Sequence, residues 1–127
     1  MSARESIYID GFQHKNPVPH ACRVGNTLMS GVIAGPDPET GLYAASVSQQ
    51  CARMFGNVRL ILAKAGFDAG DIIKMTFWLR DTSDRDALNA EWLAMFGDPA
   101  SRPAREVLKK GDEGNAAIIC DIVAIRG

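Results

Sequence analysis

The sequence predicts an α+β domain: one mixed β-sheet with two helices packed on one face, in the order β-β-α-β-α-β-β. Three observations lead there. Two segments carry apolar residues at spacings of three and four, the period of an amphipathic helix. The segments around them are short and rich in β-branched and aromatic residues. Strand and helix alternate mid-chain, which favours a parallel crossover, whereas the last two strand segments are separated only by a short turn and read as an antiparallel hairpin. A length of 127 residues suits a single domain, 1–127, and is too short for two.

Each element has a local reason. SIYID (6–10) reads as a short strand. HKNPVPH (14–20) holds two prolines, which fix φ and lack an amide donor, so this stretch is expected to be extended or turning. RVGNTLMSGVIAG (23–35) reads as one strand, and PDPETG (36–41) has the chemistry of a turn. Ser46 with Gln49 three residues later makes a capping box. Val47, Cys51, Met54, Phe55, Val58, Ile61, Leu62 and Ala65 then line one helix face, and Gly66 is placed to end it. DIIKMTFWLR (71–80) is the next strand. A second helix over 84–96 puts Leu88, Trp92, Met95 and Phe96 on one face before GDP (97–99) stops it. REVLKK (105–110) and AAIICDIVAI (116–125) flank GDEG as the closing hairpin. The final segment is apolar at nearly every position, as a strand covered on both faces would be. With both helices on one face, the second cover has to come from outside the chain, and a homo-oligomer is the economical source.

Composition narrows the partners. A net charge of −1 gives no basic field for phosphates, and no aromatic platform is flanked by lysines, so a nucleic-acid role is not expected. No apolar run reaches the ~20 residues that span a bilayer. MSARESIYIDG lacks the apolar core of a signal peptide. Cys22, Cys51 and Cys120 are odd in number and far apart, and no CxxC occurs, so buried, reduced thiols in a cytoplasmic protein are expected. His14 and His20, without neighbouring carboxylates, do not suggest a metal site, and neither a metal nor a cofactor is expected.

Four stretches carry a family likeness: RVGNTLMSGVIAGPDPETG (23–41), AGFDAGDIIKMTFWLRD (65–81), LNAEWLAMF (88–96) and RPAREVL (102–108). In this succession they resemble the RidA/YjgF family of reactive-intermediate deaminases. The resemblance implies a homotrimer whose sheets pack inward, with ligand clefts between subunits. It implies cofactor-free hydrolysis of a small carboxylate-bearing enamine or 2-imino acid to the keto acid and ammonia.

The resemblance also assigns candidate residues. Arg105 falls on the arginine that binds the substrate carboxylate, a role suited to a planar fork of charge-assisted donors. Arg102, nearby, reads as a solvated loop residue. Backbone groups of Val107 would position the attacking water. Asn89 matches an asparagine near the cleft. Val18 stands where many members have tyrosine, and the Ser30–Gly31 turn covers the usual cleft serine. The active deaminases use a glutamate on the last strand; alignment from DIVAI puts Ile119 there, and counting from Arg105 puts Cys120 there. Neither moves a proton. Asp121 reads as structural unless a bulge turns it into the cleft. His20 is then the candidate proton donor, since imidazole titrates near neutrality. The alternative reading is a non-catalytic trimer that binds a small carboxylate or keto acid at Arg105.

Overall fold

In the computed structural model, residues 3–10, 16–37 and 39–127 are described. The chain order is β1 (Glu5–Ile7), β2 (Ala21–Val24), β3 (Thr27–Ser30), α1 (Val47–Ala65), β4 (Ile72–Leu79), α2 (Arg85–Met95), β5 (Ala104–Lys109) and β6 (Ile118–Ile125). The strands form one mixed sheet in the order β1-β2-β3-β6-β4-β5. The fold class is the expected one: both helices cover one face.

Two expectations need correction. The segment 23–35 is not a single strand. Gly25 takes a positive φ of 56°, the chain reverses at Gly25–Asn26, and β2 pairs antiparallel with β3. The Gly-Asn pair was a hairpin signal inside an otherwise continuous strand pattern. The second correction concerns the end of the chain. Residues 105–110 and 116–125 do not form a hairpin, because β4 lies between them. β5 pairs parallel with β4 after the α2 crossover, while β6 pairs antiparallel with both β3 and β4. Inserting β6 centrally buries the most apolar strand of the chain, which edge pairing with β5 would have left half-used.

Helix α1 starts at the expected cap, with one half of the expected capping box among the described residues, and stops at the expected glycine. The Ser46 hydroxyl accepts the Gln49 amide at 3.3 Å, and Gly66 closes the helix at φ 80°. Gly35 passes so close to α1 that a Cβ there would collide with the carbonyl oxygen of Gln50 and the amide of Met54. Buried Gln50 ties this end of the fold together: its Nε2 donates to the Ala44 carbonyl at 2.7 Å, and its Oε1 accepts from the Ala117 amide at 2.9 Å. Between helices and sheet lie Met54, Phe55, Val58, Met75, Phe77, Leu88 and Ile118, all fully buried.

Strand alternation sorts the sheet into two faces. Ile118, Cys120, Ile122 and Ala124 of β6 are buried toward the helices, whereas Ile119, Asp121 and Val123 are only half-buried on the opposite face. That outer face also exposes Met29, Leu108 and Ile125. The last strand is therefore covered once within the chain, not twice. The β4–β6 ladder shifts register at Ile73, between the paired Ile72 and Lys74, and the segment after β3 gains one residue relative to β6 between the pairs Met29–Val123 and Ile33–Cys120.

Candidate active site

Arg105 sits on β5, directly opposite Met75 of β4. Met75 points toward the helices, so Arg105 does too. Its guanidinium carbon lies 5.1 Å from the centroid of the Trp92 ring and 5.9 Å from that of Phe77. An aromatic ladder supports it: Phe55 stacks on Phe77, Phe77 meets the edge of Trp92, and Trp92 meets Phe96 at 4.7 Å. A partly desolvated cation over such rings gains on the order of 1–2 kcal/mol. Burial, reinforced by the nearby charge of Arg85, lowers the Arg105 pKa, yet a guanidinium remains charged at any physiological pH. Among the described residues Arg105 makes no ion pair and no hydrogen bond. The guanidinium itself lies over aromatic rings, and among the described residues its donors are unspent.

Val107 lies two residues on, half-buried against the core. The Lys110 amide donates to the Leu79 carbonyl, at 2.7 Å. In a parallel ladder the residues bonding to a given neighbour alternate. The backbone groups of Arg105 and Val107 therefore face away from β4, toward the open edge of the sheet. Asn89 is half-buried on α2, one turn before Trp92, with no side-chain hydrogen bond among the described residues. Arg102 is not simply solvated: its Nε donates to the Phe96 carbonyl at 2.9 Å and a terminal nitrogen reaches that of Gly97, closing the end of α2.

The remaining candidates lie elsewhere. His20 precedes β2, and its Nδ1 accepts the Ile9 amide at 3.3 Å. Val18 is exposed in the same approach to β2. The Ser30 hydroxyl accepts the Ile122 amide at 2.9 Å and donates to the Gly31 carbonyl at 2.8 Å, so it is spent on the β3–β6 junction. A Cβ on Gly31 would make only ordinary contacts, so the missing cleft serine has room. His14 lies outside the described residues.

Within one chain these groups do not meet. β3 is three strand spacings from β5 and β2 is four, roughly 14 and 19 Å at about 4.8 Å per strand. Cys120, opposite Phe77 in the sheet, is fully buried against the helices, and burial raises its thiol pKa strongly, followed by the charge of Asp121. The Cys51 thiol is likewise pushed up to about 11 by burial first and then by Glu91 and Asp84. Both are inert core thiols. Ile119 and Asp121 share the outer face, opposite to that of Arg105, and β6 itself carries no extra residue that could have turned Asp121: the register shifts add residues to β4 and to the segment after β3. Burial raises the Asp121 pKa, with Lys74 and the Thr76 amide acting against it. Among the described residues no cluster of histidine, cysteine or carboxylate could hold a metal.

Sequence reasoning took Trp92 for a core residue only and passed over Arg85. The available signal was their spacing: Arg85, Asn89 and Trp92 stand at i, i+4 and i+7, one stripe of α2.

The comparisons with known proteins agree with this architecture. Residues 10–110 match the family described as Endoribonuclease L-PSP. The chain is 38% identical over 94 residues to the 2-iminobutanoate/2-iminopropanoate deaminase of Salmonella typhimurium, covering 73% of each. It is 33% identical over 90 residues to a RutC family protein of Pyrococcus abyssi, covering 70% of this chain and 69% of that one. Among solved structures, the YjgF gene product of E. coli superposes with a TM-score of 0.86 at 25% identity, covering 97% of this chain and 99% of that one. RidA from the Antarctic bacterium Psychrobacter sp. gives 0.87 at 25% identity, covering 96% and 99%.

Proposed function

The chain belongs to the RidA/YjgF family, matched as Endoribonuclease L-PSP, and from that premise we propose that it hydrolyses a small carboxylate-bearing enamine or 2-imino acid. Water adds to the carbon of the C=N bond, the C–N bond breaks, and the products are a 2-oxo acid and ammonia. The observation that carries this reading is Arg105: a guanidinium clamped on Trp92 and Phe77 beside an open sheet edge, with no carboxylate partner among the described residues. A substrate carboxylate supplies that partner through two parallel bonds, each contributing about 1.5–3 kcal/mol.

The cleft is inter-subunit in this reading. His20, Val18 and the Ser30–Gly31 turn lie at the far end of the sheet from Arg105, so a second copy must bring them to the β5 edge. A homotrimer in the cytoplasm is the assembly we infer. At the edge, the Val107 backbone holds the attacking water. His20 stands beside the departing nitrogen in this reading: with Nδ1 accepting the Ile9 amide, its Nε2–H donates a hydrogen bond there, and the proton that leaves with ammonia comes from the added water. No cofactor takes part.

A second reading has its own support. Ile119 stands on the face where an acid would be expected, and the Ser30 hydroxyl is already spent. A carboxylate-binding trimer without turnover fits those facts. Ammonia release from a panel of 2-imino acids, generated in situ by an amino-acid oxidase, separates the two. We expect turnover by the wild type and a loss of at least a hundredfold in kcat/KM for Arg105→Ala, the scale of a lost pair of charge-assisted bonds. Absence of turnover on every imine, with Arg105-dependent binding of keto acids, would give the site to the binding reading.

A further inference from the structure

The site contains a second cation that the deaminase chemistry does not call for. α2 begins at Arg85, and Arg85, Asn89 and Trp92 form one stripe along it. The Trp92 end of that stripe touches the Arg105 guanidinium at 5.1 Å. Seven residues at 1.5 Å separate the two ends by about 10 Å along the axis, a span comparable with the reach of a long arginine side chain and a short diacid together. The charge of Arg85 is felt at Arg105. Among the described residues neither guanidinium has an ion pair, although Asp84 and Asp86 adjoin Arg85 in sequence. The Asp81 carboxylate is spent on the amide and hydroxyl of Ser83. A cation in the first turn of a helix is disfavoured by the helix dipole, and a second like charge nearby adds to the cost. Asn89, midway between them, offers an uncommitted amide.

We propose that Arg85 reads a second acidic group on the substrate, so that the site selects 2-imino and 2-oxo dicarboxylates over monocarboxylates. The inference rests on the reading of Arg105 as the carboxylate anchor. Arg105 takes the carboxylate beside the reacting carbon, Asn89 lines the middle, and Arg85 takes the distal carboxylate.

The test is calorimetric binding of 2-oxoglutarate and 2-oxobutanoate to wild type, Arg85→Ala, Arg85→Gln and Arg105→Ala. The expected result is a ten- to hundredfold preference of wild type for the diacid, the range one charge-assisted contact supplies. That preference collapses toward unity in both Arg85 variants, while Arg105→Ala weakens both ligands. Arg85 is exposed, so its variants are expected to melt no lower than wild type. A wild-type ratio of one or less, a ratio unchanged by Arg85→Ala, or binding of neither acid overturns the proposal. Ammonia release decides the catalytic reading separately. Arg85-dependent diacid binding without turnover of any imine keeps this inference and removes the deaminase. Turnover of monocarboxylate imines without an Arg85-dependent preference does the reverse.

Discussion

Arg105 shows what a residue's chemistry needs from its surroundings. The guanidinium is seated over Trp92 and Phe77 rather than held through its donors, which leaves the fork available to a ligand. Asp121 is the opposite case, a carboxyl whose surroundings disfavour its charge. It faces the outer side of the sheet, and burial raises its pKa against the pull of Lys74 and the Thr76 amide. The unfolded chain therefore ionises this group at a lower pH than the folded one. Stability is lost as pH rises through the ordinary aspartate range and is not regained above it. Asp121→Asn removes that loss, so the variant is expected to melt above wild type at pH 7. The gap should close as pH falls below about 4, where both states of the wild type are protonated. Thermal melts across pH 3–8 check this; a variant that melts lower at pH 7 would assign Asp121 a stabilising cationic partner.

At the scale of elements, the join between α1 and β6 depends on one polar side chain. Gln50 is 3% exposed and bonds both the chain entering α1 and the chain entering β6. Gln50→Leu leaves the buried Ala117 amide and the Ala44 carbonyl without partners. The expected cost is about 1–3 kcal/mol, read as a lower midpoint in urea with an unchanged slope. A shift of a few tenths would mean that water replaces the glutamine. The capping signals around α1 were legible because they act within three residues: Ser46 and Gly66 do what their types predict. The Gly25–Asn26 turn was equally local, but the apolar run on both sides concealed it.

For the whole molecule, the uncovered outer face and the separation of the candidate residues point the same way. Met29 is 54% exposed and Ile125 46%, beside half-buried Val123. A second and third copy packed on this face would cover these groups and bring His20 and Ser30 toward another subunit's Arg105. Light scattering is expected to give three copies for the wild type. Val123→Glu, which places a charge in that contact, is expected to give one copy with an unchanged far-ultraviolet dichroism spectrum. A wild-type monomer that retains turnover would sink the inter-subunit cleft.

The sequence by itself determined both helices, the caps of α1, the α+β class and the presence of an arginine at the mouth of β5. These follow from periodicity and short-range capping, which a few neighbouring residues decide. The expected burial of three thiols holds for Cys51 and Cys120 and not for half-buried Cys22. Only the tertiary structure decided the strand order, the faces of Ile119, Cys120 and Asp121, and the aromatic seat of Arg105. Each of those is a choice between partners far apart in the chain, as when Leu28 of β3 pairs with Ala124 of β6. Strand pairing is settled by which apolar surfaces are buried together, and that energy does not exist until the distant segments meet.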